Sequence, residues 1–281
     1  MRKLIKNAIL IILFALSLLV LTSCGSSSNS YFSITFIDVG QGDAALVSCD
    51  GHYMLIDGGP KGAADKVYNT LVNKNVTKLD YLIISHMHED HIGGLQKVLT
   101  YVSTVERTFS VESDDDSEEY YAFHPELLTD GCSSIEIPKE GDKFNLGSAT
   151  IEIIAVGDPS MSDNESLVVL VTYGETTFLF TGDMQYQTES KIADKYSDNF
   201  PITLLKVAHH GAENSTEYRF INATMPKYAV ISVGAGNRYG HPTEKVLSVL
   251  DQADVETYRT DISGTITVTS DGKTLSINTE K

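Results

Sequence analysis

The 281-residue sequence has no tryptophan and only three cysteines. Aromatic bulk in any core therefore falls to 14 tyrosines and 10 phenylalanines. Neither Cys49 nor Cys132 sits in a CxxC pair, so a thiolate zinc site of the finger type is excluded. Outside the cytoplasm those two cysteines can pair with each other; two buried free thiols are the alternative. No segment repeats with a period of roughly 20–50 residues, which excludes a solenoid. Positive charge is also scarce. There are 21 Lys and Arg against 38 Asp and Glu, a formal charge of −17. A surface of that sign repels polyanions at long range and argues against a protein that coats DNA. It leaves a nuclease open, because a dimetal centre adds about four positive charges locally. Plain solubility explains the acid surplus equally well.

Long apolar runs are missing too, except at the start. "MRKLIKN" is basic, and "AILIILFALSLLVL" follows it. That run is short for a membrane span, but the layout is that of a signal peptide. It ends in "LTSC", which resembles the bacterial lipobox. The resemblance implies cleavage before Cys24, a lipid on its thiol, and "CGSSSNS" as a flexible tether. An ordinary secretory signal or an uncleaved anchor is the alternative. The expected organisation is a signal peptide over 1–23, a tether over 24–31 and one domain over 32–281. Loss of residues 1–23 removes Arg2, Lys3 and Lys6 and no acid, which moves the formal charge to −20.

Alternating "FSITFIDV" (32–39) reads as a strand, and "AALVSC" (44–49) and "HYMLID" (52–57) read as a pair joined by the turn Asp50-Gly51. Apolar spacing predicts helices over 62–75, 93–102, 188–198 and 242–254, the last with Pro242 at its start. The run "LDYLIIS" (79–85) suits a strand buried on both faces. Further strands are expected over 148–156, in a hairpin over 166–183 with "YGET" as its turn, and over 202–211, 227–234, 255–260, 264–272 and 274–278. The acid run "VESDDDSEEYY" (111–121) reads as a solvated loop or helix start; it lacks the spacing and glycine of an EF-hand calcium loop. Strands with interspersed helices favour an α/β domain of mixed sheets, its helices on the outer faces.

Three apolar strands end in metal-ligand residue types. "LDYLIIS" runs into "HMHEDHIGG", "TFLFTGD" ends in Asp183, and "TLLKVAHHG" ends in His209 and His210. Histidine and carboxylate without thiolate suit Zn2+, Mn2+ or Fe2+ alike. Strand ends are where sites tend to sit, so facing sheets would let these three meet.

The pattern His86-x-His88-x-Asp90-His91, followed by Gly93 and Gly94, resembles the metal motif of the metallo-β-lactamase fold. Asp57 in "MLIDGG", Asp183 in "TGD" and His210 (or its neighbour His209) fall where that family has its other site residues. The resemblance implies a four-layer αββα sandwich. A narrower likeness runs through "FIDVGQGDAALV", "DNESLVVLV", "FLFTGD", "LKVAHHGA", "ISVGAGNRYGHP" and "YRTDISGTITV". These segments are similar to the soluble C-terminal domain of the competence protein ComEC, here without the membrane channel that precedes it in that family.

The resemblance implies two divalent metal ions. One would take His86, His88 and Asp183; the other would take Asp90, His91, Asp183 and His210, with Asp183 bridging. The family's further histidine before Asp183 has no counterpart, since that stretch holds only His124, which reads as a surface residue. "DNESL" stands in its place, and Asn164 or Ser166 is the candidate lining residue there. His210 is preferred over His209 because a small residue, Gly211, follows it. Asp90, His209 and His241 are the candidate catalytic residues, with His241 as a proton donor. Asp57 is expected to orient a metal-binding histidine. Asp43 and Gln41 are expected at the pocket rim, and Asp261 is a further candidate there. On an extended backbone, successive side chains diverge, so His209 and His210 are not expected to reach one ion.

The implied function is an extracytoplasmic, lipid-anchored dimetal phosphodiesterase, with a phosphoester substrate, DNA among the possibilities, and no protein partner indicated. A phosphorylcholine esterase of the same fold is the runner-up, which the charge of −20 favours. The third reading is a binding lipoprotein with a structural metal. A groove of Lys and Arg separates the first from an aromatic cage for a quaternary ammonium.

Overall fold

Strand alternation sorts the apolar side chains into three separate cores in the computed structural model, which describes residues 31–112, 135–157, 166–196 and 200–281. Strands β1 (Phe32–Phe36), β2 (Ala45–Cys49), β3 (His52–Ile56), β4 (Lys78–Ile83), β5 (Thr104–Phe109) and β6 (Ile135–Glu136) join the C-terminal β14 (Ile266–Ser270) and β15 (Leu275–Thr279) in one sheet. Its order is β15-β14-β1-β2-β3-β4-β5-β6. The second sheet holds β7 (Lys143–Leu146), β8 (Ala149–Ala155), β9 (Val168–Tyr173), β10 (Thr176–Phe180), β11 (Leu204–Lys206), β12 (Tyr228–Ile231) and β13 (Glu256–Arg259). Its order is β13-β12-β11-β10-β9-β8-β7.

Side chains two apart share a face. On β2 and β3, Val47, Met54 and Ile56 point into the space between the sheets, whereas Leu46 and Leu55 point outward. On β9 and β10, Val169, Val171, Phe178 and Phe180 point inward, and Leu170 and Leu179 outward. Stacked rings of Phe32, Tyr173 and Phe178 fill the middle, with centroids 4.8–4.9 Å apart. The outward face of the first sheet is covered by helices α1 (Ala64–Asn73) and α3 (Leu95–Tyr101), through Val67, Leu71, Leu95 and Val98. Helices α4 (Tyr186–Lys195), α5 (Tyr218–Thr224) and α6 (Glu244–Gln252) cover the second, through Ile192, Phe220, Ile221, Val246 and Leu250. Three cores separate four layers, the αββα sandwich.

Both sheets are mixed. β3, β4 and β5 run parallel, as do β10, β11, β12 and β13, while the remaining neighbours except β6 are antiparallel. The carboxyl ends of the parallel strands carry Asp57, His86, Asp183 and His210 to one edge. Ligands in α/β folds bind at such ends.

Several elements differ from expectation. The strand anticipated over 202–211 spans only Leu204–Lys206, because the chain leaves the sheet in a tight turn over Ala208–Gly211. The helix anticipated from residue 93 starts at Leu95, after a separate turn α2 (Glu89–Ile92). α6 starts at Glu244 with Thr243 in the cap position, so Pro242 lies before the helix. β5, β6, β7 and α5 had no counterpart in the expectation. Cys49 is a buried free thiol. The signal peptide, Cys24, Cys132, His124 and most of the acid run lie outside the described residues. Among those described, no helix is long and apolar enough to cross a membrane.

Candidate metal centre

β4 ends at Ile83, and the next turn is held by Asp57 from the end of β3. Asp57 Oδ1 accepts the backbone N–H of Ser85 at 2.8 Å, and its Oδ2 accepts the Ser85 hydroxyl at 2.8 Å. The same Oδ2 lies 2.9 Å from His91 Nδ1. That contact fixes the ring, so its other nitrogen, Nε2, faces outward, 3.4 Å from Asp183 Oδ1. His88 caps α2 with extended backbone, and Asp90 and His91 follow on its single turn. His86 Nε2 comes within 2.9 Å of His88 Nδ1 and 3.7 Å of Asp183 Oδ2.

The second sheet supplies the facing half. Gly182 has φ +50, and a Cβ there would meet the Ser166 hydroxyl at 2.7 Å and Ser85 Cβ at 2.8 Å. Only glycine allows this approach of the two sheets. Asp183 follows, its backbone N–H donated to Ser166 Oγ at 2.8 Å. Leu167 N–H donates to Ser85 O across the same seam at 2.8 Å. His210 Nδ1 meets the carbonyl of Ser232, at the end of β12, at 2.9 Å. Since a carbonyl only accepts, Nδ1 carries the proton there. Nε2 is aimed at Asp90 Oδ2, 3.2 Å away, and Asp183 Oδ2, 3.6 Å away.

Three groups of ligand atoms result, each within 4.8 Å of one another: His86, His88 and Asp183; Asp90, His91 and His210; and Asp43, His91 and Asp183. His91 Nε2, His210 Nε2 and Asp183 Oδ1 are buried and have no hydrogen-bond partner. A buried polar atom without a partner costs roughly 1–3 kcal/mol, and three such atoms in one cleft suit cations. The donor chemistry fits a divalent metal without thiolate preference.

Electrostatics point the same way. Burial alone would lower the pKa of His91, but the carboxylates of Asp183, Asp57 and Asp90 outweigh it and hold the imidazole well above its usual value. His210, likewise buried, is raised to about 10, chiefly by Asp183 and Asp43. Burial would raise Asp183, yet His210, His91 and His86 keep it well below the ordinary carboxylate range. For His86, burial and then the charge of His91 push the pKa well down. The cluster therefore gathers positive charge against its carboxylates, the role divalent cations would take.

Asp43 departs from the expected rim position. It is 6 % exposed and lies beneath the centre, 2.7 Å from Lys206 Nζ and 3.5 Å from His210 Nδ1. Gly42 makes this possible, since a Cβ there would strike the Asp90 carbonyl at 2.3 Å. Burial would raise the Asp43 carboxyl, but Lys206, His210 and His91 draw it down to about 2. Lys206 is itself buried and also donates to the Val207 carbonyl at 2.8 Å. Neither Lys206 nor Ser232 was anticipated; the signal for the first is a lone lysine inside "TLLKVA".

Gln41 Oε1 accepts Gly234 N–H at 3.3 Å, and Asp261 is engaged by Arg259 at 3.0 and 2.7 Å. Ser166 supports Asp183 by its hydroxyl, and Asn164 lies outside the described residues. The extended backbone expected at His209 and His210 is absent, although their rings still diverge, with centroids 6.2 Å apart and planes inclined by 71°. Both have positive φ, 48° and 55°, and His209 Nε2 lies 3.7 Å from Asp183 Oδ2. The His209 ring is 5.8 Å from that of His241, whose Nδ1 is buried without a partner.

Residues 37–235 match the sequence model of the metallo-beta-lactamase superfamily. ComE operon protein 3 of Bacillus subtilis is 30% identical over 273 residues, which is 89% of this chain and 34% of that protein. Competence protein ComA of Neisseria gonorrhoeae is 30% identical over 237 residues, 83% of this chain and 32% of that protein. The chain thus spans about a third of the length of these relatives. Among solved structures, the metallo-beta-lactamase fold protein YhfI from Bacillus subtilis aligns with a TM-score of 0.59 at 16% identity, covering 86% of this chain and all of that one. The His and Asp cluster at the sandwich edge and the match over most of the sequence agree: this chain belongs to the metallo-β-lactamase superfamily and is related to the ComEC-like competence proteins.

Proposed function

We propose that the protein is a dimetal phosphodiesterase, lipid-anchored through Cys24 on the extracytoplasmic face of a bacterial membrane. The observation that carries the catalytic part is the convergence of His91 Nε2, His210 Nε2 and Asp183 Oδ1, all buried and unpartnered, between two sheets. His86, His88 and Asp183 would hold one divalent ion; Asp90, His91 and His210, with Asp183, would hold the other. Bound ions of this kind supply Lewis acidity, lowering the pKa of water and offsetting charge on phosphoryl oxygens. The chain does the rest. Asp57 orients His91, and the Ser232 carbonyl orients His210. Asp43 and Lys206 form a buried pair behind His210. His241, its ring 5.8 Å from that of His209, would pass a proton to a leaving oxygen.

The likeness to a competence protein favours DNA as the phosphodiester. The phosphorylcholine reading is weaker, since Arg238 lies 4.9 Å from the Tyr239 ring centroid and its positive charge would repel a quaternary ammonium.

The test is metal analysis together with turnover of bis(p-nitrophenyl) phosphate and of single- and double-stranded DNA by the metal-loaded chain. Expected are about two metals per chain and metal-dependent turnover. Asp183→Asn, which removes the charge shared by both sites, is expected to lose metal and at least about 10²-fold in rate, more than changes around metal ligands commonly cost. No turnover of any substrate by a fully loaded wild-type chain excludes the phosphodiesterase. Lipid incorporation that survives Cys24→Ser excludes the anchor.

A further inference from the structure

The loop after β12 leads outward from the cluster of candidate metal ligands and carries, beyond His241, side chains that the phosphodiesterase chemistry leaves unassigned. Starting from Asp183, His209 Nε2 is 3.7 Å away, and the His241 ring is 5.8 Å from the His209 ring. The Tyr239 ring lies over His241, centroids 5.7 Å apart and planes inclined by only 24°. Arg238 ends the series, its guanidinium 4.9 Å from the Tyr239 centroid and donating to the Tyr239 hydroxyl at 2.7 Å. The series therefore runs from imidazole to phenol to guanidinium, from the buried centre to solvent.

Two features mark this strip as more than ordinary surface. The first is rigidity. Asn237 staples the loop from within: its Nδ2 donates to Gly234 O at 3.0 Å and to His241 O, and its Oδ1 accepts the N–H groups of Tyr239 and His241, both at 3.1 Å. Gly234 packs so closely on the loop of Gly40 and Gln41 that a Cβ would lie 2.6 Å from Gln41 N. Tyr239 is thus held out on a fixed backbone with 54% of its surface exposed. The second is charge. Among the described residues, Arg107, Arg219 and Arg259 each pair with a carboxylate, but Arg238 makes no ion pair. In a chain of net charge −17, an arginine without an ion pair at the solvent end of this series is an anion contact in waiting. The buried Nδ1 atoms of His209 and His241, both without partners, line the path between.

We infer that Arg238, Tyr239 and His241 form a subsite for single-stranded nucleic acid, stacking the base next to the phosphate held at the metal cluster and meeting the following phosphate with Arg238. This rests on the phosphodiesterase reading. An unpaired base offers a face to Tyr239, whereas a base inside a duplex does not. A guanidinium beside the ring matches a phosphate one nucleotide along, in a chain whose net charge otherwise repels polyanions.

The experiment measures binding separately from cleavage. The detergent-solubilised full chain, loaded with Mn2+, is titrated against a fluorescein-labelled phosphorothioate oligothymidylate, and anisotropy gives Kd. Tyr239→Ala is expected to raise Kd at least about five-fold, in line with the loss of one stacked base, and Tyr239→Phe to restore it. Arg238→Ala is expected to weaken binding and reduce the salt dependence by about one phosphate contact. Tyr31→Ala, an exposed tyrosine at the far end of β1, is expected to bind as wild type. An unchanged Kd in Tyr239→Ala, or no binding by the wild-type chain, overturns the subsite. Turnover of bis(p-nitrophenyl) phosphate by the same wild-type preparation shows separately whether the phosphodiesterase reading stands.

Discussion

His210 and Lys206 show how single side chains define the centre from behind. His210 is pinned by the Ser232 carbonyl, so its Nε2, the nitrogen proposed to ligate, is set before anything binds. His209 has no such anchor and remains part-exposed. His210→Ala is therefore expected to lose about one metal per chain, and His209→Ala to keep both and alter turnover instead. Elemental analysis after identical loading and desalting decides it, and the reverse pattern would reassign the ligand. Lys206 sits 2.7 Å from Asp43 with both groups buried. Lys206→Met strands a buried carboxylate, which typically costs about 3–5 kcal/mol. Urea melts should show that loss, and the double variant Asp43→Asn/Lys206→Met should recover part of it, because no unpaired charge is left.

At the scale of elements, what the sequence disclosed and what it hid have physical causes. β1 was legible from its clean alternation in sequence, and β2, β3, β9 and β10 as short apolar runs between turns, because their two faces fill two cores. β5 was not, since "TVERTF" sets Glu106 beside Arg107 and breaks the alternation. β7 lies at a sheet edge and buries only Leu146 fully, so its four residues carry little signal. The run of metal-ligand residue types at His86, His88, Asp90 and His91 was legible in the sequence, and the family resemblance is what implied a ligand set there. The left-handed turn through His209 and His210 was not, because nothing in composition marks a non-glycine residue with positive φ. The segment that follows this turn is held by α4. Glu189, 1% exposed, accepts the N–H groups of Thr216 and Glu217 just before α5. Burial pushes its carboxyl up from 4.5 to about 7 despite those two donors. The native state then binds this proton more tightly than the unfolded chain. The contribution is full below about pH 4.5 and is lost as pH rises through about 7. Glu189→Gln removes that titration. Its stability relative to wild type should climb between pH 5 and 8 by up to about 3 kcal/mol. Denaturant melts at both ends of the range measure it, and a constant difference would mean that Glu189 is ionised throughout.

On the scale of the whole molecule, the cluster of candidate metal ligands is a seam. His86, His88, Asp90 and His91 leave the first sheet, while Asp183 and His210 leave the second. Elsewhere the sheets are joined mainly by apolar side chains such as Phe32, Phe36, Phe178 and Phe180, which bind without direction. At this edge the joint is polar and specific: Leu167 N–H to the Ser85 carbonyl, and Asp183 Oδ1 facing His91 Nε2. Ions held between the two sets would clamp the sandwich, because the unfolded chain has no such arrangement of ligands. Binding free energy then adds to folding free energy. At a free metal concentration a hundred times Kd, one site contributes about 2.7 kcal/mol. For a domain of this size that corresponds to roughly 5–10 °C in melting temperature. Stripping with a chelator should lower the melting temperature by at least that amount, and the fall should be larger if both sites are filled. Asp183→Asn should abolish most of the difference between loaded and stripped protein, since it weakens both sites at once. A melting temperature indifferent to chelation in a chain shown to contain metal would place the ions away from the seam.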